Sequence, residues 1–289
     1  MNYIERLRDE SQYYSVLKES VEFFEESFPV HVNFGGIIGS IGYGLNNATS
    51  DVDAVLFFSM KEGESFSIKN EVNRTIEFSD IVGILPVHME FFDYINSTEQ
   101  QIPPEIFPHH ILPKPNIDDT LLPGAPHSRA RAIITEVLSF GKIWDDRKFL
   151  TLNMPSLRKH LLIYDFQKKQ YIYAQGRLDN YLNGDTVRMR TYLYTARDIL
   201  AIQYVFRYEA FPPVDFEVLL DGCDDTYVKR FLSELYDKNR KSKSNKESAD
   251  MKPNHAVNAY FSEMLAAIKI RLQRYYYENP SPVFDVCVI

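Results

Sequence analysis

Two aspartates one residue apart, Asp51 and Asp53, close a turn-rich stretch that opens with Gly39-Ser40 and runs Ile41-Gly42-Tyr43-Gly44-Leu45-Asn46-Asn47-Ala48-Thr49-Ser50. On a strand, residues i and i+2 project to the same face. The two carboxylates would then stand together, their Cα atoms roughly 7 Å apart. Paired hard oxygen donors suit Mg2+ or Mn2+ rather than zinc. Ions held there can activate an attacking hydroxyl and hold a triphosphate with its leaving pyrophosphate. Gly39-Ser40 supplies the complementary half. A strand that ends in glycine and turns into a helix presents unpaired N–H groups, which suit phosphate oxygens. Glycine also lets the backbone approach a ligand closely. The Ser40 hydroxyl can bond the terminal phosphates, and Gly42 and Gly44 keep the loop tight. Asp-x-Asp alone occurs by chance on surface strands, and Gly-Ser alone is weaker still. The discriminating feature is their combination between two strands.

The flanking elements must hold that stretch in place. Tyr14, Leu17, Val21, Phe24 and Phe28 recur at helical spacing and predict a helix over 11–28, ended by Pro29. Val30 to Ile38 reads as a strand leading into Gly39, and Val52 to Phe58 as a second, anchored by Val52, Val55, Leu56 and Phe57. Gly83 to Tyr94 is a third apolar stretch of strand character. Seven prolines between residues 101 and 127 exclude a helix and mark a long connector. Beyond Ser128 the signals are helical, with helices expected over 128–150, 155–181, 186–209, 214–238 and 255–277. Trp144, the only tryptophan, is expected in the core on the first of these. Lys238 to Pro253 has almost no apolar content and reads as a mobile loop. The expected fold class is α+β: a small mixed-sheet core with its connector over 1–127, then a helical domain over 128–289 that closes the cleft.

Bulk properties narrow the partners. The 289 residues are 45% hydrophobic, 25% charged and 14% aromatic, the balance of a globular protein. A net charge of -8 argues against a nonspecific nucleic-acid coat, while leaving room for a local basic groove. Two cysteines, Cys223 and Cys287, exclude a disulfide framework or a zinc cluster and imply a cytoplasmic setting. The N-terminus lacks an apolar signal region and no apolar run is long enough for a membrane span, so no membrane partner is expected.

The pattern Gly39-Ser40-x3-Gly44-x5-Ser50-Asp51-x-Asp53 resembles the signature of the polymerase-beta-like nucleotidyltransferase superfamily. With Tyr43-Gly44-Leu45 it resembles one branch, the predicted nucleotidyltransferases associated with RNA-repair ligases. Arg190-x3-Tyr194-x2-Arg197, then Pro212-Pro213-x2-Phe216-x2-Leu219-Leu220, then Lys238, is similar to that branch's helical half, so the resemblance covers about residues 30–240. It implies an enzyme that moves a nucleoside monophosphate from an NTP to a hydroxyl acceptor, with Mg2+ or Mn2+ and release of pyrophosphate. Gly39, Ser40, Gly44 and Ser50 fall in its nucleotide-binding stretch. RNA is the favoured acceptor. A small molecule such as an antibiotic, a protein target, and a nucleotide-binding module with a decayed acidic set stay open. The family pattern also expects a third carboxylate on a neighbouring strand. Glu90 and Asp93 are the candidates, on opposite faces by parity. Glu90 is favoured as the third metal ligand, because an unpaired charge among mid-strand apolar residues is costly. The usual residue is Asp, so Glu90 is a departure.

Arg190, Tyr194 and Arg197 fall at i, i+4 and i+7 and share one helix face. Facing the cleft, they could grip a triphosphate and stack on a base. The alternative is a salt-bridged face involving Asp198 or Glu209. Arg158, Lys159, Lys168 and Lys169 could line an acceptor path, although a solvated face is the expectation. His109-His110, among prolines, reads as surface loop.

Overall fold

A computed structural model of the chain describes residues 10–47, 50–62, 76–79, 82–88, 143–150, 152, 163–210, 212–242 and 250–278. Helix α1 (Glu10–Ser27) buries Val16, Leu17, Val21 and Phe24. Tyr13 takes the inner position of its first turn and Tyr14 is exposed. Pro29 then ends the helix and strand β1 (Val30–Ile38) begins. Antiparallel to β1 lies β2 (Val52–Met60). Residues 54–58 of β2, Ala-Val-Leu-Phe-Phe, are all buried, so this central strand is covered on both faces. Phe58 meets Phe24 of α1 edge-on at 5.5 Å, and Phe57 stacks on Phe34 at 4.2 Å.

Strand β3 (Ile76–Ser79) pairs antiparallel with β4 (Val82–His88), which runs parallel to β2. A short strand, β5 (Ile143–Trp144), pairs with β1 at Gly35 and Gly36, giving the order β3-β4-β2-β1-β5. This corrects the helix expected over 128–150 at its described end. The exposed ladder of β1 offers Ile143 and Trp144 a place as strand, and Trp144 is core, at 4% exposure. The division expected at residue 127 falls outside the described residues. The first described strand beyond it, β5, belongs to the sheet.

The second layer is helical: α3 (Ile163–Tyr181), α4 (Met189–Tyr208), α5 (Phe216–Asp221), α6 (Thr226–Lys241) and α7 (His255–Glu278). α4 is its axis and touches the other four. Tyr192, Leu193, Ala196, Ile199, Ala201 and Ile202 are buried all around it, as a helix walled in by neighbours requires. The segment 214–238 breaks into two helices. Asp215 accepts from Glu217 N at 2.8 Å and Asp225 from Val228 N at 2.9 Å, so each new helix has its own N-cap. The loop expected over 238–253 is shorter. α6 runs to Lys241, and β7 (Asp250–Met251) pairs with β6 (Val187–Arg188), while residues 243–249 lie outside the described set. Among the described residues no helix is long and apolar enough to cross a membrane. The layers interlock at Leu45, which leaves the sheet half and sits in the helical core at 1% exposure.

Candidate active site

Ile38, the last residue of β1, lies opposite Asp53 in the ladder. At Gly39 the backbone turns through φ +68° into a single helical turn, α2 (Gly39–Gly42). A Cβ at Gly39 would stand 1.9 Å from Asp53 Oδ2. Glycine is therefore needed twice, once for the left-handed conformation and once for room beside the carboxylate. No side chain caps the turn at Ile38, and the N–H groups of a helix start are the ones that suit an anion. Gly39→Ala should add roughly 1–2 kcal/mol of backbone strain and push the Asp53 carboxylate aside. A lower melting temperature by circular dichroism, together with lost metal binding in calorimetry, would bear this out.

Asp51 is exposed immediately before β2, and Asp53 is half-buried as its second residue. Burial raises the pKa of Asp53, and the neighbouring charge of Asp51 raises it further. Asp51, expected on the strand with Asp53, stands just before it, and the charges of these two carboxylates oppose each other. They make a hard oxygen donor set, and a cation between them would relieve both causes of the shift, so the residues present fit Mg2+ or Mn2+. Among the described residues no group of three or more His, Cys, Asp or Glu side chains gathers to hold a metal. Glu90 and Asp93 lie outside the described residues. The strand that leads to them, β4, sets Gly83 beside Asp53 and His88 beside Phe58, and so runs away from the aspartates.

The helical layer reaches this turn from several sides. The Tyr194 hydroxyl is hydrogen-bonded to Ser40. Burial raises the Tyr194 pKa, against the lowering pull of Arg190 and Arg177, which keeps the phenol neutral. Arg190 Nη2 donates to Ser50 Oγ at 3.0 Å, and its Nε donates to Asn239 Oδ1 at 3.3 Å. Asn239, fully buried on α6, donates through Nδ2 to the Leu45 carbonyl at 2.9 Å, and the Tyr236 hydroxyl donates to the Gly44 carbonyl at 3.2 Å. Gly44 has φ +67°, and a Cβ there would meet the Val214 carbonyl oxygen at 2.6 Å. Ser50 in turn is fixed by Asn47, whose N–H donates to Ser50 Oγ at 2.9 Å.

Arg197 is placed differently from the expectation. It is fully buried, with Cζ 4.2 Å from the centre of the Tyr43 ring. Its Nη1 lies 3.3 Å from Gln170 Oε1 and 3.6 Å from Asp198 Oδ1. Asp198 also pairs with Arg177, whose guanidinium lies 5.3 Å over the Tyr194 ring. Tyr43 and Tyr194 meet edge-on at 6.1 Å. The reason is position along α4. Arg190 and Tyr194 lie near its start and reach the turn, whereas Arg197, a turn deeper, is inside the core and supports Tyr43 from beneath. The salt-bridge alternative with Asp198 holds for this residue.

Lys168 and Lys169 are buried, at 4% and 7% exposure, so the solvated face expected for them is not present; Lys169 Nζ sits 5.4 Å over Tyr173. Arg158, Lys159, His109 and His110 lie outside the described residues. Sequence reasoning missed Asn239, Tyr236, Arg177 and Val214. Val214 carried a signal, since it directly follows the Pro212-Pro213 pair. Asn239 carried none, because an asparagine on a helix has no spacing signature. Because Arg190 spends two donors on Ser50 and Asn239, Arg190→Ala should cost about 1–3 kcal/mol in a melt without ligand, from partners left unsatisfied. A melting temperature equal to that of wild type would show that these bonds contribute nothing.

Residues 143–283 match the family described as the RNA repair pathway DNA polymerase beta family, just under half of the chain. Over those residues the chain is similar to that family. Arg190, Tyr194, Arg197, the Pro212-Pro213 pair and Lys238, which carried the resemblance in this half, all fall inside the matched residues; the turn from Gly39 to Asp53 falls outside them. The polymerase-beta-like nucleotidyltransferases of RNA repair are thus what the chain resembles in both halves, by its motif in one and by the family match in the other. The chain is also similar to the uncharacterized protein YcgL of Bacillus subtilis (strain 168), 38% identical over 48 residues. That stretch spans 17% of this chain and 18% of the relative, less than a fifth of either.

Proposed function

We propose that this protein is a metal-dependent nucleotidyltransferase that moves a nucleoside monophosphate from an NTP to a hydroxyl, with RNA as the favoured acceptor. The observation that carries the reading is the close approach of Gly39 to Asp53, which sets the uncapped amides of α2 beside the acidic pair. Phosphate donors and metal ligands then share one small volume. The match to an RNA repair family supports the choice of acceptor.

Asp51 and Asp53 would hold the divalent ions, which supply charge neutralisation for the phosphates and lower the pKa of a bound hydroxyl. The amides of α2 and the Ser40 hydroxyl bind the terminal phosphates, with Tyr194 fixing the Ser40 rotamer through their hydrogen bond. Arg190 holds Ser50 and thereby the approach to Asp51. In the transfer itself the acceptor hydroxyl gives up its proton to solvent and its oxygen bonds to the α-phosphorus. The bond from that phosphorus to the bridging oxygen breaks, and pyrophosphate leaves with the electron pair.

Incubation with each α-labelled NTP, with Mg2+ or Mn2+, and with RNA, protein or aminoglycoside acceptors tests this directly. Label transferred to RNA 3′ ends with release of pyrophosphate is expected. Label on a small molecule or protein would move the acceptor, and no label on any of them would overturn the reading.

A further inference from the structure

A concavity is lined by residues next in sequence to those that clamp Ser50. This cavity of about 410 Å3 opens between the last turn of α6 and the paired strands β6 and β7. Met189, Leu235 and Met251 line it with apolar surface. Lys238 and Lys241, both exposed and one helical turn apart, also line it, together with Asp250 and the buried Ser242. Two sequence neighbours tie it to the proposed active site. Met189 precedes Arg190, which bonds Ser50, and Lys238 precedes Asn239, which holds the Leu45 carbonyl.

On a chain of net charge -8, two ammonium groups over an apolar floor are a local reversal of sign. Lysines in a last helical turn also offset the helix dipole, but that role needs neither a cavity nor a methionine lining. The volume lies within the range of small-molecule sites, roughly 300–1,000 Å3. Its chemistry matches a nucleotide. Thioethers are soft surfaces for a flat aromatic ring. A carboxylate accepts from an exocyclic amine, and ammonium groups bind phosphate.

We infer that this cavity takes the terminal nucleotide of a single-stranded RNA acceptor, the base against Met189 and Met251 and the phosphate on Lys238 and Lys241. The inference rests on the proposed transfer reaction, because it supplies the acceptor side of that site.

The test is binding of a 5′-fluorescein oligoadenylate by anisotropy across a salt series, for wild type and for the full-length Lys238→Ala/Lys241→Ala variant. Both lysines are exposed, so the variant should melt like wild type. RNA affinity should fall by at least about tenfold, because charge-assisted bonds to phosphate are removed. The slope of log affinity against log salt should flatten by about 0.7 for each phosphate that is no longer neutralised. NTP affinity in calorimetry should not change. Unchanged RNA affinity and slope in the variant, a wild type that binds no RNA, or a loss of NTP affinity instead would each overturn the inference. Lysine-dependent RNA binding by a wild type that transfers no label would leave the cavity standing and sink the transfer reaction. Transfer by wild type with an unaltered KM for RNA in the variant would do the reverse.

Discussion

Replacing Asp51 or Asp53 with asparagine is expected to abolish metal-dependent transfer, and replacing Asp53 is expected to stabilise the metal-free fold. Each substitution removes one anionic oxygen donor from a set of two and leaves the side chain nearly the same size. Metal ions contribute several kcal/mol to transition states of this kind, so the rate should fall by a factor of about a hundred or more.

The stability effect follows from the raised pKa of Asp53, caused first by burial and then by Asp51. With a folded pKa above the unfolded value, the native state binds the extra proton across that interval. Its stabilising contribution is complete below the ordinary aspartate pKa of about 3.9 and is lost as pH rises through the raised value. At neutral pH the wild type therefore carries an ionised Asp53 at a cost, and Asp53→Asn should melt higher without metal. Below the ordinary aspartate range the two should converge. Added Mg2+ should reverse the order at neutral pH, because only the intact pair gains much from the cation. Melting curves with and without Mg2+ at several pH values decide it. An Asp53→Asn protein that still transfers at the wild-type rate would remove these residues from the mechanism.

Asp198→Ala should be the most destabilising single change in the helical half. Asp198 is 2% exposed and faces both Arg177 and Arg197, the latter fully buried. Burial alone would lower the Arg177 pKa, yet the charge of Asp198 and its hydrogen bond hold it above the usual value. Removing one partner from such a group leaves buried positive charge uncompensated, at a cost of about 3–5 kcal/mol. For a chain of this length that is a drop in melting temperature on the order of 10 °C. The same change should loosen Tyr43 and Tyr194, since each ring lies under one of the two guanidiniums. A weakened NTP affinity measured well below the new melting point would report that second effect. Asp198→Asn keeps hydrogen-bonding capacity without the charge and should fall between. A melt of Asp198→Ala indistinguishable from wild type would show that the two arginines are compensated elsewhere.

Local pattern determined a good part of this protein. The apolar runs Val30 to Ile38 and Val52 to Met60 and the helical stretches at 163–181, 189–208 and 255–278 follow from residue types and lengths that are readable within each element. The Gly39 turn and the acidic pair were legible for the same reason, because their chemistry is written in residues close along the chain. The short strand at Trp144 was not, since a two-residue strand exists only by grace of the edge that β1 offers it. Nor was the fate of the α4 stripe. Spacing placed Arg190, Tyr194 and Arg197 on one face, and only the packing of α3 and of the Gly-rich turn against that face decided that Tyr194 meets Ser40 while Arg197 is enclosed beneath Tyr43. Burial of a cation depends on partners supplied from distant positions, here Gln170 and the Tyr43 ring from the other layer, in addition to the neighbouring Asp198. No periodicity in a single helix carries that information, because charge compensation is a property of the assembled core.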